Sequence, residues 1–450
     1  MKNARQVALD ILDRLQRGDQ PLDYWLEKAE PQIAELKRQD RALVHALVYG
    51  TMRWKGRLDF IIDQLAQKTA KIDPLVRTIL EMALFQMNHL DRVPDSAVVH
   101  TAVDLAKTNG RKWAAGFVNG LLRRSTAAPD PIRWPGEKAA PHEALSIEIA
   151  LPAWLTRRWT ERYGLDQTHL LGSAINTIPR VTLRTNTLKT DRSDLMRRIE
   201  AEAQTVTATR YSPEGIQIAS LTRPLSQWPA YRDGWFQVQD EAAQLISHLL
   251  APVPGETVWD ACAGLGTKTA HVAQLMNNQG VIVASDVHPH RLAHLKADMQ
   301  RLGVAIVTPR VMDLTGISGG AALPEFDRIL VDAPCSGLGV LQKNPDGKWR
   351  VSEADISRSA QRQKAILERV APHLRPGGRL VYAVCSFEPE ENEGVIEAFL
   401  QKHPEFAIDN PKIAGTAKAN RFITPQGYFK TLPHLEGMDG FFAALLIKAP

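Results

Sequence analysis

The chain has 450 residues, 44% of them hydrophobic and 23% charged, which is too long for one ordinary domain and too apolar for a disordered chain. It has no run of about 18 apolar residues, so no membrane span is expected, and its three cysteines include no CxxC pair, which argues against a disulfide framework and for a reducing cytoplasm. The net charge of +5 sits wholly in residues 1–140, with 22 Lys+Arg against 17 Asp+Glu, while 141–250 balance at 12 and 12 and 251–450 at 21 and 21. A basic module joined to neutral ones points to a polyanion partner, although an excess this modest is also ordinary for a soluble protein.

The opening stretch "MKNARQVALDILDRLQRGDQ" is not a signal peptide. Ala8, Ile11, Leu12 and Leu15 follow helix spacing and are broken by charges. "DRALVHALVYGTMRWKGRLDFIIDQLA" and "DPLVRTILEMALFQMNHL" continue the helical pattern. Asp73-Pro74 reads as a helix start, a capping side chain followed by proline at the first helical position. Val93-Pro94-Asp95-Ser96 is a second break and restart. Residues 125–144 carry prolines at 129, 131, 135 and 141 and read as a linker. Residues 145–172 are helical again. Residues 179–222 mix the strand candidates "RVTLRTN" and "GIQIASL" with the helix candidate "RSDLMRRIEAEA", a small α+β element.

From residue 237 helices and strands alternate: "QDEAAQLISHLL", "ETVWDAC", "KTAHVAQLM", "VIVASD", "HRLAHLKADMQRLG", "FDRILVDAP", a helical region over 352–374, "GRLVYAVCS", "ENEGVIEAFLQK" and "GFFAALLIK". Such apolar strands alternating with helices predict a parallel sheet covered on both faces, with ligands at the carboxyl ends of its strands. The fold expected is therefore multidomain: an all-α domain over 1–140, a helical and α+β joining region over 141–235, and an α/β Rossmann-like domain over 236–450.

The chemistry gathers at those strand ends. "DACAGLGTKT" follows the first strand, and Gly264 and Gly266 allow a tight turn and close backbone approach to a ligand. Asp286 ends the next strand at the place where a ribose diol is held. The loop has neither the phosphate-loop pattern nor full GxGxxG spacing, so the reading is a nucleoside-containing cofactor rather than a nucleoside triphosphate or dinucleotide. The next two strands end near Asp313 and in "DAPCSG", with Asp332 and Cys335, and the following one ends in Cys385. Any one of these residues can be core packing or a helix cap. Together they suit methyl transfer to C5 of cytosine. A thiolate adding at C6 breaks the ring's conjugation and makes C5 nucleophilic, a carboxyl group near N3 favours the addition, and a base is needed for release. No metal-ligand spacing exists among the His and Cys residues, so no metal is expected.

At these residues the sequence resembles the RNA 5-methylcytosine methyltransferases of the bacterial RsmB (Sun/Fmu) type, which modify small-subunit ribosomal RNA. The resemblance rests on "DACAGLGTKT", "FDRILVDAPCSGLGVLQKNPDGKW", "GRLVYAVCSFEPEENEGVIEAFL" and "DGFFAALLIK". "QDRALVHALVYGTMR" and "GFVNGLLRR" extend it to a helical NusB-like RNA-binding domain, and "VTLRTNTL" and "WFQVQDEAAQL" to the joining segment. The resemblance implies S-adenosylmethionine as cofactor and RNA, most of all 16S rRNA, as substrate for a monomeric cytoplasmic enzyme. It implies Cys385 as nucleophile, Cys335 assisting release, Asp332 contacting the target base, and Lys268 ordering the site. The loop Cys262, Ala263, Gly264, Leu265, Gly266, Thr267 and Lys268 would hold the cofactor, with Asp286 on its ribose, Asp313 near its adenine and Asp332 at its border. Two departures stand out. Thr267 replaces a glycine of the family loop and would be strained at positive φ, and Val384 replaces a threonine. Cys262 also reads as a small buried hydrophobe. Asn344, Pro345, Lys348 and Trp349 read either as an RNA-channel lining or as a surface loop. The alternatives are the same chemistry on tRNA and a non-catalytic RNA-binding or ribosome-assembly factor.

Overall fold

The computed structural model describes residues 3–66, 71–127, 131–135, 140–316, 323–410, 413 and 415–450. The chain divides into two compact units, one of Met1–Thr177 with Leu341–Arg350, the other of Ile178–Val340 with Val351–Pro450.

The first unit is helical. Its elements are α1 (Ala4–Arg17), α2 (Leu22–Ala34), α3 (Arg38–Leu65), α4 (Pro74–His89), α5 (Asp95–Thr108), α6 (Ala115–Ser125), α7 (Pro141–Glu148) and α8 (Ala153–Asn176). The capping residues start these helices as sequence physics dictates. Asn3 accepts from the Gln6 amide, and Asp73 accepts from the amides of Leu75 and Val76 at 2.9 and 3.2 Å. The apolar stripes meet in one core that includes Leu9, Leu12, Val44, Leu47, Val48, Ile62 and Leu80. Parts of the proline-rich stretch lie outside the described residues.

The second unit begins with β1 (Val181–Thr185), α9 (Arg192–Ile199), β2 (Ala203–Ala208), β3 (Gly215–Leu221), α10 (Pro229–Arg232) and β4 (Phe236–Val238). The four strands form an antiparallel sheet in the order β2-β3-β1-β4. Then come α11 (Glu241–Leu250), β5 (Thr257–Asp260), α12 (Thr267–Leu275), β6 (Val281–Asp286), α13 (Pro289–Leu302), β7 (Val307–Val311) and β8 (Phe326–Asp332). After Val340 ten residues, including α14 (Gly347–Arg350), belong to the helical unit. The second unit resumes with α15 (Glu353–Val370), β9 (Leu374–Val384), α16 (Glu393–Lys402), β10 (Phe406–Ile408), β11 (Tyr428–Thr431), α17 (Pro433–Glu436) and β12 (Phe441–Lys448).

The eight-stranded sheet runs β10-β12-β9-β8-β5-β6-β7, with β11 on β12. The five strands β5 to β9 are parallel, as their pattern predicts. The last strand, β12, instead pairs antiparallel with β9, β10 and β11, because the chain returns to it without a long helical crossover. Alternate residues of each strand enter two cores. Val258, Ile282, Leu330 and Val381 pack with α11, α12 and α13, while Trp259, Val283, Ile329 and Tyr382 pack with α15 and α16.

Within the segment Leu341–Arg350, Lys348 and Trp349 are packed into the helical unit rather than lying in a plain surface loop. Trp349 packs on the helical core and donates through Nε1 to the Met52 carbonyl at 2.8 Å. A Cβ at Gly56 would stand 2.6 Å from the Trp349 ring, so the helix must present bare backbone there. Pro345 is buried and Asn344 exposed. Lys348 is fully buried, with Nζ directed at the carbonyls of Arg53 (3.0 Å) and Ala150 (3.4 Å) and at Asn176 Oδ1 (2.5 Å). Burial, and then the Arg53 charge, pull its pKa well below the usual lysine range. Lys348→Ala strands those acceptors and leaves a cavity. It should destabilise the helical unit by about 3 kcal/mol, read as a lower denaturant midpoint and faster amide exchange in α3 and α8.

Candidate active site

The register of β8 against β9 creates the site. Asp332 lies opposite Ala383, so the residues just beyond both strands meet at one sheet edge. Cys335 and Cys385, 50 positions apart in sequence, are brought together with Sγ atoms 3.2 Å apart, and both are free thiols. The fit around them is close. The Gly339 amide donates to the Cys385 carbonyl, and a Cβ at Gly339 would lie 2.0 Å from the Gly440 carbonyl oxygen.

Lys268, in the first turn of α12, reaches the same point and donates to Asp332 Oδ2 at 2.6 Å. Burial opposes the Lys268 charge, but Asp332, then Cys385 and Asp260, outweigh it and raise its pKa. The ammonium therefore persists beside the two thiols. Cys335 is held in the opposite state. Its hydrogen bond to Cys385, then burial and the charges of Cys385 and Glu391, push its pKa well above the ordinary thiol range.

The thiols open onto a cavity of about 610 Å³. Of the residues expected around a cofactor, Cys262, Gly264, Asp286, Asp313 and Asp332 line it. Asp286 is buried, and its oxygens accept from the amides of Gly264 (3.1 Å) and His288 (2.8 Å). Asp313 is exposed and accepts from Thr315. Ala263, Leu265, Gly266, Thr267 and Lys268 are not among the lining residues. They form the turn and the helix start, and Leu265 points outward. Burial, then the charges of Asp260, Asp332 and Asp286, raise the Cys262 pKa well above the usual range and disfavour its thiolate.

The expected strain at Thr267 does not arise. Gly264 and Gly266 take the positive φ values, 56° and 83°, and Thr267 is already the first residue of α12. A Cβ at Gly266 would come within 2.5 Å of Leu295. Arg184 of β1 fixes this helix from the other side. Fully buried, it donates to the Thr267 carbonyl at 2.8 Å and to Gln274 at 3.1 Å.

With this geometry in view, comparison with known proteins is decisive. Residues 247–447 match the family described as 16S rRNA methyltransferase RsmB/F, residues 2–127 the NusB family, and residues 151–223 the RsmF/B-like ferredoxin-like domain. A probable ribosomal RNA small subunit methyltransferase B of Synechocystis is 38% identical over 100% of both chains. One from Bacillus subtilis is 35% identical over 99% of both. The chain belongs to the RsmB/F family of small-subunit rRNA methyltransferases. Among solved structures, PH0851 superposes with a TM-score of 0.81 at 29% identity, covering 99% of this chain and 98% of its own. A methyltransferase homolog from Pyrococcus horikoshii gives 0.59 at 29%, covering 69% and 99%.

Several cavity residues escaped the sequence reading: His288, Arg291, Met312, Leu314, Arg362 and Ile366. Met312 and Leu314 flank Asp313, and that pairing of apolar residues around an acid was the available signal. Arg362 and Ile366 sit one turn apart on α15, a helix without a motif. Glu214, His248 and His271 also converge, with ligand-type atoms within 4.8 Å of one another. The Glu214 carboxylate already pairs with His248 at 2.9 Å, and the Arg184 cation lies near enough to depress the His271 pKa after burial has done so.

Beneath the site, Asp260 ends β5 fully buried and accepts from Thr269 Oγ1 at 2.6 Å. Burial pushes its pKa up to about 7, with Asp332 adding and Thr269 and Lys268 opposing. A raised carboxyl pKa means that the folded state binds the proton more tightly, so stability is lost as pH climbs from about 4 to about 7 and no further above it. Asp260→Asn removes that titration. Its denaturant midpoint should gain on wild type between pH 5 and 7 and hold a constant lead at pH 8.

Proposed function

We propose that this chain is an S-adenosylmethionine-dependent cytosine-C5 methyltransferase of 16S rRNA, working through a covalent bond between Cys385 and C6 of the base. The observation that carries the reading is the pair of thiols 3.2 Å apart on the lining of the cavity, with Asp332 on the same lining paired to Lys268.

The cavity fits the cofactor in kind. It offers bare backbone at Gly264, a buried acid at Asp286 for a ribose diol, and apolar Met312, Leu314 and Ile366 for an adenine face. Asp313 stands beside that apolar patch and Asp332 borders the thiols. When bound, the cofactor supplies an electrophilic methyl group whose bonding pair stays with the sulfonium sulfur.

The chain's residues do the rest. The Lys268 ammonium is held within electrostatic reach of Cys385, and the Cys335 thiol, kept protonated, stands 3.2 Å from the Cys385 sulfur. Cys385 adds to C6, and the C5–C6 π pair moves to C5, which bonds to the methyl carbon. A proton passed to N3 through the Lys268–Asp332 pair steadies the charge that the addition creates, and N3 returns it to the pair when the C6–S bond breaks. The C5 proton then leaves to water, its pair re-forms the C5–C6 double bond, and the C6–S bond breaks with its electrons returning to Cys385. Cys335 assists by donating its S–H to the departing thiolate. The cytosine must be unpaired or flipped for both ring carbons to be reached.

The helical unit supplies the RNA contacts in this reading. Trp113 is 68% exposed and lines, with Phe117, Lys71 and Arg124, a cavity of about 640 Å³ in that unit. Exposed aromatic and basic groups together suit stacking and phosphate contact.

Methyl transfer from labelled cofactor to unmodified small-subunit RNA tests the reading. Wild type should form 5-methylcytosine, Cys385→Ala none, and Cys335→Ala a covalent protein–RNA adduct. Label on tRNA alone favours the tRNA alternative, and no label on any RNA favours an assembly factor. Trp113→Ala should weaken RNA binding by about 1 kcal/mol and leave the affinity for the cofactor unchanged, as read by filter binding and calorimetry.

A further inference from the structure

The sequence "SFEPEEN" that follows Cys385 contains a buried acid that the mechanism does not use. Glu391 is fully buried, and its carboxylate receives four hydrogen bonds. Oε1 accepts from the Ser336 amide at 2.7 Å and from Gln363 Nε2 at 3.1 Å, and Oε2 accepts from the hydroxyls of Ser336 at 2.5 Å and Ser386 at 2.6 Å. A carboxylate has about four acceptor sites, so this one is filled. Ser336 follows Cys335, and Ser386 follows Cys385. The two hydroxyls also lie 3.3 Å from each other. Gln363 donates as well to the Pro334 carbonyl at 3.0 Å, so Cys335 is tied down on both sides. Glu391 itself is anchored, because the Tyr382 hydroxyl of β9 donates to its carbonyl at 2.6 Å.

We infer that Glu391 is the positioning residue that sets the spacing of the two thiols, by holding the residue after each of them on one carboxylate. Beyond the Ala333 amide to Ala383 carbonyl bond, the loops after β8 and β9 are also joined by the Gly339 amide to the Cys385 carbonyl, a bond in which neither Cys335 nor Ser336 takes part. Side-chain contacts must then hold their register over the last residues, and buried hydrogen bonds to a charged acceptor are among the strongest available. The consequence rests on the reading of Cys385 as nucleophile and Cys335 as the group that assists release. Attack needs Cys385, Lys268 and the base. Release additionally needs Cys335 within hydrogen-bonding reach of the departing sulfur. Loss of the clamp therefore slows release more than attack.

The test is Glu391→Ala, assayed on unmodified small-subunit RNA beside Cys335→Ala, with Glu391→Gln as the conservative variant. Glutamine can still accept at the Oε1 position, where both donors are N–H groups. Its amide nitrogen can donate to the two hydroxyls, whose rotors are free to turn. Glu391→Ala should lower kcat by about tenfold or more with little change in KM for the cofactor, and should accumulate the adduct seen with Cys335→Ala. Glu391→Gln should recover most of the rate and clear the adduct. Should Glu391→Ala fail to fold, Ser336→Ala combined with Ser386→Ala removes both hydroxyl contacts and should trap the same adduct. A Glu391→Ala enzyme that turns over like wild type overturns the inference, as does one that loses rate and cofactor affinity together without adduct. If Cys335→Ala itself gives no adduct, the assignment of the thiols fails, and the inference drawn from it falls at that step rather than at Glu391.

Discussion

The parallel pairing of β8 with β9 is the constraint on which the site depends. With Asp332 opposite Ala383, the chain places Cys335 three residues beyond the end of β8 and Cys385 one residue beyond the end of β9. A slip of one residue would turn every side chain of β9 to the other core, so the two apolar faces of the sheet enforce the register that the chemistry needs. Trp259, Ile329 and Tyr382 on one side, and Val258, Leu330 and Val381 on the other, thus hold the two thiols together by making any other register costly. Bare backbone at Gly339 and Gly440 then lets the two loops close on each other.

Charge divides the labour between the thiols. Lys268 keeps its proton because Asp332 and Cys385 outweigh the cost of burial. Cys335 keeps its own because its hydrogen bond to Cys385 and its burial favour the neutral thiol, and Glu391 makes the place still less welcoming to a negative charge. Two thiols in contact cannot both ionise, and the surroundings of Cys335 keep that one protonated. Arg184 contributes from the four-stranded sheet, since it holds the first turn of α12, from which Lys268 extends. The joining region thereby becomes part of the support of the active site.

Much of this was legible in the residues. The parallel strands announced themselves by continuous apolar runs, and the acids and cysteines at their ends marked the functional edge. The antiparallel β12 was less visible, because an apolar strand reads alike in either direction. The path of Leu341–Arg350 was hidden for a different reason. Lys348 and Trp349 look like surface or ligand-facing residues until the tertiary fold supplies the Arg53, Ala150 and Asn176 acceptors and the core around Met52. Glu391 was hidden too, since a glutamate in an acidic run reads as solvated, and only the fold shows that this one is enclosed by serines. At Thr267 a single-residue argument about φ misled, because the turn had already placed its positive φ values on two preceding glycines, 264 and 266.

The account turns on which thiol bonds to the base, and that can be read directly. Small-subunit RNA carrying 5-fluorocytidine has no C5 proton to lose, so the adduct formed after methyl transfer cannot be released. Digestion of the trapped complex and mass analysis of the peptides should find the nucleotide on the peptide bearing Cys385. A nucleotide on Cys335, or no covalent complex from a protein that binds both RNA and cofactor, would contradict the assignment of the two thiols.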